Sequence, residues 1–232
     1  MNEIKERIQN KEIKLLYIAP ERLAIRSFKT FLNELEISLI AIDEAHCISE
    51  WGHDFRKEYS NLKFLKDIFP QTPIIALTAT ATKKVKDDIL KQLNLDNPQI
   101  FTSSFNRDNL NLIIRSKENS LAQLLSLVET HKDESIIIYC HSRSDTESLS
   151  ETLNKYGFKA IMYHAGLSAK VRDRNQELFL CDKVNIVVAT IAFGMGIDKS
   201  NVRLVIHNTF SNSLEAYYQE IGRAGRDGLP SD

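Results

Sequence analysis

Ile40-Ala-Ile-Asp-Glu-Ala-His-Cys-Ile-Ser-Glu-Trp-Gly-His-Asp-Phe-Arg-Lys-Glu-Tyr59 is the stretch around which the chain is organised. It opens within an apolar run, Ile37 to Ile42 broken only by Ser38, that reads as a buried parallel strand. Asp43 and Glu44 stand where that strand must end, and in α/β sheets ligands bind at the carboxyl ends of strands. A strand-end aspartate can hold Mg²⁺ on the phosphates of a nucleotide. A neighbouring glutamate can orient or deprotonate an attacking water. Beyond them Trp51, Phe55 and Arg56 offer π-faces and a guanidinium, the equipment for stacking bases and gripping phosphate. On D-E-A-H alone a plain strand end, with Trp51 and Phe55 in the core, is equally open.

Outward from this stretch, strands and helices alternate. Toward the N-terminus lie a charged helix over Met1–Lys11, a strand over Ile13–Ala19 and a helix over Phe28–Leu35. Toward the C-terminus follow a helix over Leu62–Phe69, a strand over Ile74–Leu77 ending in Thr78-Ala-Thr-Ala-Thr82, a helix over Val85–Leu93 and a short strand over Ile100–Thr102. The pattern lapses after Ser103, so residues 1–103 read as one unit, 104–109 as a linker and 110–232 as a second unit. The second series predicts strands at Leu110–Ile114, Ile136–Cys140, Ala160–Tyr163, Val184–Ala189 and Val202–His207. Helices are predicted at Leu121–His131, Asp145–Tyr156, Lys170–Phe179 and from Leu214. Such alternation implies βαβ units and parallel sheets, an α/β fold.

Composition narrows the class. In 232 residues, 43% hydrophobic and 26% charged, the balance is that of an ordinary globular protein. The net charge of −1 means that any nucleic-acid binding must come from local patches and stacking. Cys47, Cys140 and Cys181 lie far apart without C-x-x-C spacing, which argues against a disulfide framework or a cysteine zinc site and for reduced thiols in the cytoplasm. The charged N-terminus is no signal peptide, and no apolar run reaches membrane-spanning length, so no membrane partner is expected.

Three stretches of the second half carry further chemistry. Ile136-Ile-Ile-Tyr-Cys-His-Ser-Arg143 delivers polar residues to a strand end, with a helix cap at Ser142 or Ser144 as the plainer reading. His164, in Tyr163-His-Ala-Gly-Leu167, reads as structural. Val187-Val-Ala-Thr-Ile-Ala-Phe-Gly-Met-Gly-Ile-Asp198 places Gly194 and Gly196 after a buried strand, either for close approach to a ligand or for a tight turn. In Glu215-Ala-Tyr-Tyr-Gln-Glu-Ile-Gly-Arg-Ala-Gly-Arg-Asp-Gly228, Arg223 and Arg226 would share a face if helical. Two such arginines fit transition-state charge stabilisation, and the glycines between them suggest that something packs close. No G-x-x-x-x-G-K-[S/T] occurs, and no glycine precedes Gly52, so a phosphate-cradling loop is missing from the sequence.

In order, these stretches resemble the motifs of the RecQ family of superfamily 2 DNA helicases. Y-I-A-P-E-R-L resembles motif Ib, I-D-E-A-H motif II, C-I-S-E-W-G-H-D-F-R the aromatic-rich loop and A-L-T-A-T-A motif III. I-I-I-Y-C-H-S-R resembles motif IV, A-T-I-A-F-G-M-G-I-D-K motif V and Y-Y-Q-E-I-G-R-A-G-R-D-G motif VI. The resemblance implies two RecA-like, P-loop NTPase-type parallel-sheet domains, ATP and Mg²⁺ as cofactors, and 3′-to-5′ movement on single-stranded DNA. Forked duplex DNA and other recombination or repair proteins would be partners. Asp43 would bind Mg²⁺ and Glu44 would activate water, while His46 would link the nucleotide site to the aromatic-rich loop. Trp51, Phe55 and Arg56 would contact DNA, and Thr78 and Thr80 would relay between sites. Gly196, Asp198 and Gln219 would serve ATP, together with Arg223 and with Arg226 as the arginine finger.

Departures from the family pattern are Glu50 for Gln, Lys57 for Pro and Ser200 for Pro. The adenine-recognising segment and P-loop would lie before Met1, and the zinc-binding, winged-helix and HRDC modules after Asp232. The chain is therefore expected to be a first RecA-like domain truncated at its N-terminus plus nearly all of the second. No zinc is expected, the isolated chain is expected to be inactive, and the incomplete first sheet is expected to expose a strand edge. The alternative is a non-catalytic DNA- or protein-binding module of helicase origin.

Overall fold

The computed structural model describes residues 2–52, 54–95, 97–104, 106–194 and 197–232. The chain divides into two compact units, Met1–Phe101 and Thr102–Asp232.

The first unit runs α1 (Asn2–Gln9), a 3₁₀ turn (Pro20–Ala24), α2 (Arg26–Asn33), β1 (Ile40–Ile42), a 3₁₀ turn (Ala45–Ile48), α3 (Lys57–Ser60), a 3₁₀ turn (Asn61–Lys63), α4 (Phe64–Ile68), β2 (Ile74–Ala76) and α5 (Lys83–Gln92). β1 and β2 pair in parallel, Ile40 beside Ile74 and Ile42 beside Ala76. Strand side chains alternate between faces. Accordingly Ile40, Ile42, Ile74 and Ala76 turn to a core with Leu32, Ile48, Val85 and Leu93, while Leu39, Ile75 and Leu77 are each more than two-fifths exposed. The predicted burial of the strand before Asp43 is thus one-sided. Thr82 caps α5, its hydroxyl accepting the Val85 N–H at 3.3 Å. Lys57 opens α3, the first helical position, where proline is also well accommodated.

The predicted strands at Ile13–Ala19 and Ile100–Thr102 do not form. Leu15, Tyr17 and Phe101 are exposed, and no neighbouring strand among the described residues pairs with them. A strand cannot satisfy its backbone without such a neighbour.

The second unit contains α6 (Ser120–Thr130), β3 (Ser135–Tyr139), α7 (Arg143–Lys155), β4 (Ala160–Tyr163), α8 (Ala169–Leu180), β5 (Ile186–Ala189), β6 (Val202–His207) and α9 (Leu214–Ile221). Its all-parallel sheet has the order β4-β5-β3-β6. Helices cover both faces. Leu124 and Val128 of α6 and Leu153 of α7 pack on Ile136, Ile138 and Val188, while Phe179 of α8 packs with Ile137, Val187 and Phe193 on the opposite side. Two covered faces explain why β3 and β5 read as continuous apolar runs. Of the two candidate caps, Ser142 is the one that caps α7, taking the Asp145 N–H at 3.0 Å.

The predicted strand Leu110–Ile114 shrinks to one bridge between Leu110 and Ser231. Part of the segment read as a linker is tied to the second unit. Arg107 Nη2 donates to the Gly225 carbonyl at 2.8 Å, and Asn109 Nδ2 donates to the same oxygen at 2.8 Å and to the Leu229 carbonyl at 2.9 Å. α9 ends at Ile221, so Arg223 and Arg226 lie on a series of turns and not on one helical face.

Candidate functional site

In the first unit the end of β1 is a sharp corner. Glu44 adopts a left-handed conformation (φ 49°, ψ 43°), unusual for a residue with a Cβ, and its N–H is held by Asp43 Oδ1 at 2.9 Å. The corner leaves the Asp43 carboxylate exposed and turns the chain into the buried 3₁₀ segment Ala45–Ile48. His46 Nδ1 stands 3.0 Å from Thr78 Oγ1 and 3.3 Å from Glu44 Oε2. Thr78 Oγ1 in turn donates to the Thr80 carbonyl at 3.1 Å and accepts the Thr80 N–H at 3.3 Å. Because Thr78 gives its hydroxyl proton to the Thr80 carbonyl, it is left as an acceptor toward Nδ1 of His46. Glu44, His46, Thr78 and Thr80 therefore form one chain of polar contacts from the end of β1 to the loop after β2. The buried Thr80 hydroxyl oxygen has no partner among the described residues.

The same 3₁₀ segment carries the aromatic loop. Gly52 permits this fold-back: a Cβ there would lie 2.3 Å from the His46 carbonyl oxygen. The Arg56 N–H bonds to the Cys47 carbonyl at 3.0 Å. Its guanidinium forks onto Asp54 Oδ2, 3.2 Å from Nε and 2.8 Å from Nη2, which raises the Arg56 pKa. Trp51 is 64% exposed and Phe55 40%, so neither belongs to the core. Lys84 Nζ lies 3.0 Å above the Trp51 ring centroid and covers one of its faces. Sequence reading missed Lys84 and Asp54. Asp54 lies inside the quoted motif, whereas Lys84 belongs to a helix more than thirty residues away and leaves no local signal.

In the second unit the turns after α9 are anchored on β6. The Gly225 N–H bonds to the Val202 carbonyl at 2.9 Å, with φ +55° at the glycine. A Cβ at Gly225 would lie 2.4 Å from Asn109 Nδ2 and 2.8 Å from the Leu229 carbonyl, so something does pack close to this glycine. Arg223 is buried, and its Nε has no hydrogen-bond partner among the described residues. The Tyr139 hydroxyl nearby donates to the Phe193 carbonyl at 2.9 Å, and burial pushes its pKa up to about 12. Arg226 Nη1 meets Asp198 Oδ1 at 3.1 Å, which brings two predicted site residues together. Gln219 is half-buried on α9, and Gly196 lies outside the described residues.

Glu220 and His207 were not anticipated. The buried Glu220 carboxylate takes His207 Nε2 at 2.8 Å and the Ser211 hydroxyl, fastening α9 to the end of β6. The His207 ring stacks on Tyr139 with centroids 5.5 Å apart. His164 is buried at the end of β4; Nε2 lies 3.2 Å from Glu147 Oε1, yet neither ring nitrogen makes a hydrogen bond among the described residues.

Residues 1–88 match the family model described as DEAD/DEAH box helicase, and residues 116–228 match that described as helicase conserved C-terminal domain. The ATP-dependent DNA helicase RecQ of Pasteurella multocida is 49% identical over 98% of this chain, and that of Haemophilus influenzae is 48% identical over 99%. The RecQ-like DNA helicase BLM of Xenopus laevis is 48% identical over 94%. The chain spans 37%, 38% and 17% of these relatives' lengths, respectively.

Among solved structures, Mycobacterium smegmatis helicase Lhr bound to ssDNA and AMP-PNP matches with TM-score 0.71 and 22% identity, over 97% of this chain and 32% of that one. S. cerevisiae Dbp5 bound to RNA and ADP BeF3 matches with TM-score 0.66 and 20% identity, over 87% of this chain and 54% of that one. These likenesses speak to the fold alone, which is that of RecA-like helicase domains. With both helicase models matched in order and such identity to RecQ proteins of bacteria and animals, the chain belongs to the RecQ family of superfamily 2 helicases.

Proposed function

We propose that the chain is motor machinery of an ATP-dependent DNA helicase that moves 3′-to-5′ on single-stranded DNA and unwinds duplexes during recombination and repair. One observation carries this reading: the chain of polar contacts Glu44–His46–Thr78–Thr80 shares its 3₁₀ segment with the loop bearing Trp51, Phe55 and Arg56, which bonds back to the Cys47 carbonyl. A change at the β1 corner can reach the loop, and the reverse, through one 3₁₀ turn.

Asp43 suits Mg²⁺. Its hard carboxylate is exposed at a strand end with one oxygen fixed by the Glu44 N–H, and Mg²⁺ usually takes one or two carboxylates plus phosphate oxygens and waters. Bound Mg²⁺ would neutralise charge on the nucleotide's phosphates. Glu44 is the proposed base for the attacking water, and His46 holds its carboxylate in place. Arg223 and Arg226 are the proposed charge stabilisers, with Arg226 the finger; Asp198 pairs with Arg226 until phosphate competes for it. Gly196 and Gln219 complete the proposed ATP contacts.

The 232 residues contain no P-loop lysine or glycine-rich amide cradle. We therefore propose that this chain alone binds ATP poorly and does not unwind DNA. The test is ATP hydrolysis by the purified chain, with and without single-stranded DNA, beside Glu44→Gln. No turnover above the variant is expected. DNA-stimulated turnover that vanishes in the variant would overturn the proposed inactivity.

A further inference from the structure

The cysteine spacing points away from a zinc site, but the fold assembles a different donor set. His46, Cys47 and Asp54 each offer one ligand atom, all within 4.8 Å of one another. His46 Nε2 is 3.6 Å from Cys47 Sγ, and Cys47 Sγ is 3.9 Å from Asp54 Oδ2. Tetrahedral Zn²⁺, with bonds of about 2.3 Å to sulfur and about 2.0–2.1 Å to nitrogen or oxygen, requires N···S and S···O separations of about 3.6 Å. Histidine and cysteine already stand at that spacing; the aspartate must close on sulfur by a few tenths of an ångström, and on the histidine nitrogen to about 3.3 Å from a separation within 4.8 Å.

The surroundings fit as well. Metal-bound histidines usually give their other ring N–H to a carboxylate or hydroxyl. Here Nδ1 of His46 faces Thr78 and Glu44 while Nε2 faces Cys47, so in the Nδ1–H tautomer the Nε2 lone pair is the one presented to the cluster. Arg56 bonds the same Asp54 oxygen, Oδ2, through Nε and Nη2, so an ion would share that oxygen with the guanidinium or take Oδ1 in its place. The Asp54 side chain is 43% exposed and gives a route from solvent to the two buried ligands.

We propose that His46, Cys47 and Asp54 form a site for a thiophilic divalent cation of the Zn²⁺ class, with water as fourth ligand. The mixed nitrogen, sulfur and oxygen set is wrong for Mg²⁺, which prefers oxygen alone. On binding, the metal–sulfur bond replaces the Cys47 S–H bond and one proton goes to solvent. His46 keeps its Nδ1 proton, and Asp54 enters ionised. The ion ties Asp54, and with it the loop carrying Trp51 and Arg56, to the 3₁₀ turn. The effect of that tie on coupling rests on the function proposed above; the binding site does not.

The test uses the purified, reduced chain without nucleotide or DNA, so its result is independent of the ATPase experiment. Co²⁺ is titrated as a spectroscopic stand-in and then displaced by Zn²⁺. One Co²⁺ per chain is expected, with a thiolate-to-cobalt charge-transfer band and one proton released. Cys47→Ser should abolish the band, and Cys181→Ser should leave it. Cys47 is buried and its variant could disturb packing, so the more exposed Asp54→Asn is the second variant. It should weaken Co²⁺ binding at least tenfold. Absence of the band in the native chain, its persistence in Cys47→Ser, or native affinity in Asp54→Asn would each overturn the site.

Discussion

Replacing Trp51 by alanine tests the loop more directly than any other change. The residue is 64% exposed, and Lys84 Nζ covers one face of its ring from 3.0 Å. One face is therefore left for a nucleic-acid base, so one base-stacking interaction should be lost. Such an interaction is worth about 1–3 kcal/mol, or roughly 5- to 150-fold in Kd. The folded state should lose at most about 1 kcal/mol, chiefly the cation–π contact with Lys84. The assay is anisotropy of a labelled single-stranded oligonucleotide at fixed salt, beside a urea titration of each protein. Trp51→Phe should recover part of the affinity, because it keeps a smaller π-face. Binding changed less than twofold in Trp51→Ala would refute the stacking role. So would a loss of affinity matched by a loss of cooperative unfolding, since the residue would then be structural.

Other expectations follow from the same geometry. Gly52→Ala puts a Cβ 2.3 Å from a backbone oxygen that cannot swing away; a loss of about 1–3 kcal/mol and a shifted emission from Trp51, the single tryptophan, are expected. Gly225→Ala combines a left-handed φ with a clash at Asn109 and the Leu229 carbonyl. It should cost about 2–5 kcal/mol, read as faster hydrogen exchange in β3 and β5. Burial, reinforced by Asp54 at Cys47 and by Asp145 at Cys140, raises both thiols from 9.0 to about 11. At pH 8 about a thousandth of each is thiolate, so a thiol reagent should modify the exposed Cys181 first. Because these folded values are raised, their contribution to stability is complete below pH 9 and is lost as pH rises through 11; urea midpoints across that window check the sign.

Much of the site could be read along the chain because its parts are contiguous. Asp43 and Glu44 mark the end of an apolar run, and that end is the corner where the carboxylates emerge. The Trp51–Arg56 loop likewise travels with the motif. Thr78 and Thr80 lie thirty residues further on, and only the pairing of β1 with β2 brings them under His46. The same holds for Lys84 on Trp51, for Glu220 on His207 and for the donors that meet around Cys47. The two arginines mark where local reasoning failed. Helical spacing suggested a shared face, but α9 stops at Ile221, and the following turns are shaped by Gly225 docking on Val202 and Asn109.

Most helices, and the strands covered on both faces, are legible along the chain. A helix satisfies its hydrogen bonds within its own turns, and a strand covered on both faces, such as Ile136–Tyr139, must be apolar throughout. Which extended segments became strands was settled by pairing. Ile13–Ala19, Ile100–Thr102 and Leu110–Ile114 have suitable residues but lack a paired neighbour among the described residues, and a strand's hydrogen bonds belong to its neighbour. Which polar groups met depends likewise on sheet register and helix docking, which no stretch of sequence carries alone.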